Sequence, residues 1–484
     1  IWVTCRDDAE VAVLDAGTLS VLRTIQLPAA SRPYGLVLSP EGDRAYVALD
    51  ALGAVVELDT ATGSVRRSFD VGPNPRGLAL TADGARLLAS RFISPPVPGE
   101  ATATPETSSA RGEVRVVALD AAGEARVIPL AHSDRVDGSV QGRGVPNYLG
   151  APVVSPDGLT AWVPSKQDNV ARGLARDGQA LDFQNTVRAI TSRIDLTTET
   201  EVLEARIDHD DAGLAAAAAF HPSGVYLFVA LETSREVAVV NALDGVEAFR
   251  VDVGRAPQAL ITSADGRRLF VKNFMDRSVS VVDLGPLVDH GEFRAPVLAT
   301  VSTVTRERLP ADVLLGKQLF YDARDPRLAR DRYISCATCH AEGGQDGRVW
   351  DLTAQGEGLQ NTIGLVGRAG ATRGLLHWSG NFDEVQDFER QIRALAGGTG
   401  LLSDELYGSG SISDPLGDPK AGASVELDAL AAYVTSLDRA TPSPHRAGGQ
   451  PTAEGAAGRD VFVASGCTAC HYGASFSDED RDVL

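Results

Sequence analysis

Over residues 1–305, hydrophobic and polar positions alternate in short runs that turn residues separate. The stretch from Arg32 to Gly72 shows the pattern clearly: two alternating segments flank a Pro-Glu-Gly turn, and two more flank an Asp-x-x-x-Gly turn. Alternation with a period of two is typical of half-buried β-strands, and glycine supplies the positive φ that such turns need. Each stretch of this kind therefore predicts a unit of four short antiparallel strands.

The four-strand unit recurs along this part of the chain. Six copies are recognisable, and the first, which begins at Ile1, lacks its opening strand. A unit of about 40 residues that repeats in this way is typical of a β-propeller blade. We therefore expect a β-propeller with six visible units, and the pattern favours seven blades in total. A seventh blade would lie upstream of Ile1, or the segment Pro296–Val304 would return to complete the first blade.

Two insertions interrupt the repeats. The first, Ile93–Gly112, is rich in Pro, Ser, Thr and Ala, which predicts a loop. The second, Pro164–Ile190, is longer and carries several basic residues. Long loops on a rigid scaffold often serve recognition. The second insertion therefore either contacts the C-terminal part of the chain or a partner, or is a plain surface excursion.

The hydrophobic pattern changes to a helical period after the repeats. Leu309–Asp325 predicts an amphipathic helix, and Ser424–Ala440 predicts a second one whose apolar stripe packs into a core. The fold class expected from the whole pattern is a multidomain protein, a β-propeller followed by a mostly α-helical domain.

The composition and charge of the chain mainly argue against certain partners and against a membrane span. The chain has 484 residues, which is too long for one compact core, and its formal net charge is −20. Because like charges repel, this charge disfavours nucleic acid and anionic membranes as partners. No apolar run of eighteen residues occurs, so no membrane span is seen in the sequence.

Four of the five cysteines lie in two Cys-x-x-Cys-His motifs. Their members are Cys336, Cys339 and His340 in the first motif and Cys467, Cys470 and His471 in the second. Two thiols at this spacing can form thioethers with the vinyl groups of one haem, and the adjacent histidine binds the iron. A zinc or redox pair is the alternative for one Cys-x-x-Cys, but two copies, each followed by histidine, disfavour it. The sequence predicts two haem c groups, and hence a dihaem c-type cytochrome.

These motifs divide the chain into three predicted regions. Residues 1–305 form the propeller, 306–445 form the first cytochrome c-like haem domain, and 446–484 begin a second haem domain that is apparently truncated. We expect the protein to continue beyond Leu484, because the sequence ends without a helix that would close a domain. Haem c is attached outside the cytoplasm, so the expected location is periplasmic or extracellular, in a bacterium.

The segment Trp2–Thr18 resembles the motif that gives the YVTN/lactonase-like propellers their name. The resemblance covers residues 1–305. It implies the propeller fold and does not imply an activity, because such propellers support many different functions.

The segment LGKQLFYDARDPRLARDRYISCATCH, from Leu315, resembles the opening of the bacterial dihaem cytochrome c peroxidase family, which includes the dihaem enzyme that matures methylamine dehydrogenase. The segments LQNTIGLVG, LHWSGNFDEVQDFERQI and GRDVFVASGCTACH match further motifs of that family in the same order. The resemblance runs from about Leu309 to the end of the chain. It implies that electrons enter at the second haem, on His471, and pass to the first, on His340.

The same resemblance implies a peroxide site beside the first haem. Leu376 stands where the family has a glutamine, and Glu389 best matches the family's glutamate, which would act in general acid–base catalysis. Glu384 and Asp387 are nearby rivals, and Glu389 is otherwise one of several solvated acids on a helix. Trp378 would relay electrons between the haems or simply pack.

Further metal ligands are predicted, one from a histidine of this sequence and the others from the resemblance. His377 would bind the distal face of the first haem, which favours electron transfer, or would serve in hydrogen bonding or packing. The only methionine, Met275, lies in the propeller, so the distal ligand of the second haem is expected beyond Leu484. A vacant position or a ligand from another chain is the alternative. The family also binds calcium between its haem domains, and Asn361 matches one ligand position.

Three functions stay open at this point. The first is a peroxidase-like oxidoreductase that passes electrons between two covalently bound haems. The second is a non-catalytic electron-transfer cytochrome with six-coordinate haems, and the third is a propeller-based docking module that the haems connect to an electron-transfer chain. The expected partner is a small redox protein, a cytochrome or a cupredoxin, as electron donor or acceptor.

Overall fold

The computed structural model describes residues 1–120 and 124–472 and contains six antiparallel sheets followed by a helical part. The first sheet has three strands, β1 (Trp2–Cys5), β2 (Glu10–Leu14) and β3 (Val21–Gln26). The second has β4 (Pro33–Leu38), β5 (Arg44–Leu49), β6 (Ala54–Asp59) and β7 (Val65–Asp70). The third has β8 (Pro75–Leu80), β9 (Arg86–Arg91), β10 (Arg111–Ala118) and β11 (Arg126–Ala131).

The next three sheets follow in chain order. The fourth has β12 (Ser133–Gly138), β13 (Gln141–Asn147), β14 (Val153–Val154), β15 (Thr160–Asp168), β16 (Val187–Asp195), β17 (Thr200–Glu201) and β18 (Ile207–His209). The fifth has β19 (Ala215–Phe220), β20 (Tyr226–Leu231), β21 (Glu236–Asn241) and β22 (Val246–Asp252). The sixth has β23 (Pro257–Thr262), β24 (Arg268–Asn273), β25 (Ser278–Asp283) and β26 (Val297–Ser302).

Successive side chains of a central strand pack against different neighbouring sheets. In β5, Val47 joins a core shared with the first sheet, whereas Tyr46 joins a core shared with the third. In β20, Val229 faces the fourth sheet and Phe228 faces the sixth. Because strand side chains alternate between faces, a strand buried on both sides produces this radial stacking of sheets.

The β-propeller prediction is confirmed, with five complete blades of four or more strands. The predicted count of six or seven blades is not confirmed, because the first sheet has only three strands. The suggestion that Pro296–Val304 completes the first blade is wrong. Strand β26 pairs with β25, with Ser302 opposite Ser278, and so completes the sixth sheet.

The C-terminal part is built from short helices and two small hairpins. The helices of the chain are α1 (Gly285–His290), which precedes β26, α2 (Ala311–Phe320), α3 (Cys336–Cys339), α4 (Glu389–Ala394), α5 (Asp404–Tyr407), α6 (Val425–Thr435) and α7 (Ala453–Ala464). The hairpins are β27 (Val349–Asp351) with β28 (Leu359–Asn361) and β29 (Arg446–Ala447) with β30 (Gln450–Pro451). The two helices predicted from periodicity are confirmed as α2 and α6, although both are shorter than their predicted segments. Helix α6 begins after Ser424, whose hydroxyl accepts a hydrogen bond from Leu427 N at 3.4 Å and so caps the helix.

Helices α2 and α6 pack closely at Gly316, and this contact predicts a destabilising substitution. A Cβ at Gly316 would lie 1.8 Å from the Ala429 carbonyl oxygen. We expect Gly316→Ala to lower the free energy of unfolding by about 1–3 kcal/mol through overpacking, although alanine favours the helix itself by up to about 1 kcal/mol. Urea denaturation followed by circular dichroism measures the loss.

Gly458 in α7 provides the matched control for this substitution. No heavy atom lies within 4 Å of a Cβ built on Gly458, so Gly458→Ala should leave the stability unchanged or raise it slightly. A loss in Gly458→Ala as large as that in Gly316→Ala would refute the packing explanation.

Candidate functional site

The first Cys-x-x-Cys-His motif forms the single turn of α3. Ser335 precedes the turn, and its backbone N–H donates to Thr338 Oγ1 at 3.0 Å, while Thr338 N donates to Ser335 O at 3.0 Å. His340 N donates to Cys336 O at 2.9 Å and continues the turn. Residues three and four apart lie on the same face of a helical turn, so the two thiols and the imidazole are held on one side.

Both thiols of the motif are free. Burial raises the pKa of the Cys336 thiol to about 11, and burial together with the nearby Asp346 carboxylate raises the pKa of the Cys339 thiol. Cys336 is exposed and Cys339 is half-buried, so both thiols remain accessible for haem attachment.

The imidazole of His340 is oriented for binding a metal through one nitrogen. Its Nδ1 lies 3.2 Å from the Gly344 carbonyl oxygen, which places the ring proton on Nδ1 and leaves the lone pair on Nε2. Burial lowers the pKa of His340 and keeps the ring neutral, while Asp346 and backbone carbonyls act in the opposite direction. A backbone acceptor on the second nitrogen is the usual support of a metal-binding histidine. The residues present therefore fit a covalently attached haem.

The propeller holds the segment that follows the motif. Glu342 accepts hydrogen bonds from Arg6 Nη1 at 2.7 Å, from the Tyr34 hydroxyl at 2.7 Å and from Arg76 Nη1 at 3.3 Å, and these residues come from three different sheets. Burial acts to raise the pKa of Glu342, but Arg76 and Arg6 outweigh it and the pKa lies below its ordinary value. The carboxylate is thus ionised and bound at the face of the propeller.

Both propeller insertions also contact this segment, at strand β27. From the first insertion, Glu100 Oε1 accepts a hydrogen bond from Val349 N at 2.9 Å. From the second, Ala175 N donates to Asp351 Oδ2 at 2.7 Å, and Arg176 Nη1 donates to Val349 O at 3.1 Å. Of the two alternatives for the second insertion, the structure shows contact with the C-terminal part of the chain. The first insertion was expected only to be a loop, and its contact was missed.

All three carboxylates predicted as candidates for acid–base catalysis accept hydrogen bonds from neighbouring residues. Glu389 is buried and accepts from Arg393 Nε at 2.8 Å, from Leu401 N at 2.8 Å and from Leu402 N at 3.2 Å. Its rivals are bound in the same way. Glu384 accepts from the backbone of Ala421 at 3.1 Å and also from Lys420 N, and Asp387 accepts from Lys420 Nζ at 2.6 Å.

His377 lies in a small polar and aromatic cluster. Its Nδ1 lies 2.9 Å from Glu357 Oε1 and 2.8 Å from Asn381 Oδ1, and its Nε2 lies 3.3 Å from Gln391 Nε2. The ring packs on Phe382 with centroids 4.1 Å apart. Glu357 was missed in the sequence, because a lone glutamate in an irregular loop gives no periodic or motif signal. Distal ligation of the first haem by His377 stays a prediction.

Trp378 and Asn361, predicted from separate motifs, lie together. The indole Nε1 of Trp378 donates to the Asn361 carbonyl oxygen at 2.9 Å, and the Trp378 side chain is 43% exposed. Within residues 1–120 and 124–472, no group of three or more His, Cys, Asp or Glu side chains is placed to hold a metal ion. Calcium at Asn361 therefore stays a prediction, as does electron relay through Trp378.

The second motif forms the same local turn at the end of α7. His471 N donates to Cys467 O at 2.9 Å, as His340 N does to Cys336 O. Helix α7 is capped by Thr452, and none of its residues is buried. Residues 473–484, where the sequence analysis placed an apparent truncation, lie outside the described part of the chain.

Comparison with known proteins bears on both parts of the chain. Residues 310–396 match the family model for di-haem cytochrome c peroxidase. Two curated relatives, the uncharacterized proteins YncE of Salmonella typhimurium and Salmonella typhi, are each 33% identical over 89 residues, which is 18% of this chain and 24% of the relative. The match thus spans about a quarter of the length of these relatives.

Solved structures align with a larger share of the chain than these relatives do, but at lower sequence identity. Hydrazine synthase of Kuenenia stuttgartiensis aligns with 58% of this chain and 79% of its own at 17% identity and a TM-score of 0.46. A periplasmic gluconolactonase of Pseudomonas aeruginosa aligns with 62% of this chain and 80% of its own at 18% identity and a TM-score of 0.44.

The chain thus combines an N-terminal β-propeller with a C-terminal part in which residues 310–396 match the di-haem cytochrome c peroxidase family. That family is a di-haem one, which implies haem cofactors. Among the described residues, none of the helices has the length and apolar character needed to cross a membrane.

Proposed function

We propose that this protein is a dihaem c-type cytochrome that works as a peroxidase-like oxidoreductase and passes electrons between two covalently bound haems. The observation that carries the proposal is the geometry of the first motif. Free thiols of Cys336 and Cys339 share one face of a turn, and Gly344 O holds the neutral imidazole of His340 with its Nε2 lone pair available. When bound, haem supplies one-electron redox chemistry at its iron.

The residues of this chain would attach, orient and shield that group. Cys336 and Cys339 would anchor the first haem and His340 would bind it axially, while Cys467, Cys470 and His471 would do the same for the second. Covalent haem attachment outside the cytoplasm implies an exported, periplasmic or extracellular protein. With a net charge of −20, a small basic redox protein is the expected electron partner. Calcium near Asn361 is part of the same proposal.

A second candidate is a non-catalytic electron-transfer cytochrome. The observation that favours it is the environment of Glu389, whose two oxygens accept three hydrogen bonds. A general base needs a lone pair directed at the proton it removes, and these donors fill three of the carboxylate's roughly four acceptor sites while Glu389 is fully buried. Leu376, at the position where the family has a glutamine, supports the same candidate.

Spectroscopy of the full-length protein tests both candidates. We expect covalent haem at two equivalents per chain by the pyridine haemochrome assay, and one equivalent in each of the variants Cys336→Ala/Cys339→Ala and Cys467→Ala/Cys470→Ala. Electron paramagnetic resonance, as isolated and after one-electron reduction, then shows whether the first haem is open. A high-spin signal that peroxide abolishes supports the peroxidase-like enzyme. Two low-spin haems that do not respond to peroxide support the electron-transfer cytochrome, and absence of covalent haem contradicts both.

A further inference from the structure

A buried charged cluster joins the propeller to the segment that follows the first haem motif. Lys166 and Asp168 come from β15, and Asp346 comes from the C-terminal segment, and the side chains of all three have no exposed surface. Lys166 Nζ lies 3.0 Å from Asp346 Oδ2 and 3.0 Å from Asp168 Oδ1. Trp350 Nε1 donates to Asp346 Oδ2 at 3.2 Å. A single propeller lysine therefore links carboxylates of both parts of the chain.

The cluster also reaches the haem-attachment turn. The hydroxyl of Tyr148, the residue after β13 along the chain, donates to the Cys339 carbonyl oxygen at 2.7 Å. Lys166 Nζ lies 4.4 Å from the centre of the Tyr148 ring, and Phe92 stacks on that ring with centroids 4.5 Å apart. Tyr148 is thus fixed by its neighbours, and its hydroxyl can hold the backbone of the turn in one position.

The charge of Lys166 is maintained by its partners. Burial acts to lower the pKa of Lys166, but Asp168 and Asp346 outweigh burial and raise the pKa above its ordinary value. The ammonium is therefore charged and fully enclosed, where a charge is screened much less than at the surface. Asp346 and Lys166 both lie close enough to Cys339 and His340 to act electrostatically on them.

We propose that Lys166 and Tyr148 of the propeller are positioning residues of the first haem site, and that they raise the reduction potential of the haem bound there. The inference rests on the proposed function, since it takes His340 as an iron ligand. The physical reason is direct. Lys166 offsets the negative charge of Asp346 and Asp168, and Tyr148 adds an O–H donor at the attachment turn, so together they favour the ferrous state, which carries one positive charge fewer than the ferric state. The propeller would then be part of the redox site and not only its support.

The test is spectropotentiometry of the full-length protein with both haems attached. In Lys166→Met, Asp346 and Asp168 lose their shared cation, and we expect the midpoint potential of the first haem to fall while that of the second stays unchanged. Arg206→Met is the matched control, because Arg206 is another buried propeller cation, and its hydrogen bonds run to Glu201, Gln167 and Ala131. This control should leave both potentials at their wild-type values.

Tyr148→Phe provides a second test of the effect on the first haem's potential if Lys166→Met fails to fold or to bind haem. It removes one hydroxyl and keeps the ring that stacks on Phe92, so haem attachment should be retained and the first potential should again fall. Wild-type potentials in every variant that folds would overturn the inference and leave the proposed function standing. A wild-type protein without covalent haem would instead overturn the proposed function.

Discussion

Replacing Arg348 with methionine is expected to lower the free energy of unfolding by about 3–5 kcal/mol, because it leaves the buried Glu100 carboxylate without its charged partner and two carbonyls without their donor. Arg348 has no exposed side-chain surface. Its Nη2 donates to Ser94 O at 2.8 Å and to Pro95 O at 2.9 Å, and its Nη1 lies 3.4 Å from Glu100 Oε2. All three partners belong to the first insertion of the propeller or directly adjoin it, so the loss should also weaken the attachment of the C-terminal part.

Arg324→Met is the control for this substitution. Arg324 also joins the C-terminal part to the propeller, through Asp252 at 2.6 Å, but its side chain is 30% exposed and that of Asp252 is 70% exposed. An exposed ion pair of this kind contributes about 0–1 kcal/mol. Chemical denaturation of both variants, followed by circular dichroism, measures the difference. If the two variants lose equal stability, burial is not what makes Arg348 important.

Replacing Glu232 with glutamine is expected to stabilise the protein at neutral and alkaline pH. Glu232 follows β20, is buried, and accepts a hydrogen bond from Gln258 Nε2 at 2.7 Å. Burial raises the pKa of Glu232 to about 7, with a further contribution from Glu342, while Gln258 and Lys272 act in the opposite direction. The carboxyl group is therefore a better proton acceptor in the folded protein than in the unfolded chain.

The sign of the pH dependence follows from proton binding. The Glu232 carboxyl binds more protons in the folded state than in the unfolded state between the two pKa values, so its contribution to stability falls as the pH rises from about 4.5 to about 7. The glutamine variant does not ionise, and it should exceed the wild type by about 3 kcal/mol above pH 7 and match it below pH 4.5. Thermal or urea unfolding across this pH range measures the effect.

Glu41→Gln is the control, because it removes one exposed carboxylate from a propeller loop and should leave the pH profile of stability unchanged. If its profile matches that of Glu232→Gln, the loss of one net charge, and not the burial of Glu232, causes the stabilisation.

The local pattern of the sequence predicted the elements of the fold well. Alternation along strands such as β5 and β20 fixes their burial on both faces, and the Ser424 cap fixes the start of α6, because each of these effects depends on residues close in sequence. The number of complete blades was harder to predict, because it depends on which strand pairs with which. The partner of β26 depends on a register that periodicity does not specify.

The same distinction between local and long-range contacts applies to the candidate site. The Cys-x-x-Cys-His turns are local, so their members were predicted directly from spacing. The contacts of Glu342 with Arg6 and of Asp346 with Lys166 join residues that are 336 and 180 positions apart. No single-sequence pattern links such residues, and for the same reason the pairing of Glu357 with His377 was missed.

These separations also set an order for folding. Contacts that close very long loops form late, because the entropy of closure is lost before any such contact stabilises the chain. Each complete blade pairs strands that are close in sequence, so the blades form before the segment around Asp346 docks on them. The first attachment turn therefore reaches its final surroundings only after docking. The turn of the second motif is closed by the local hydrogen bond from His471 N to Cys467 O at 2.9 Å, so its shape does not require a very long loop to close.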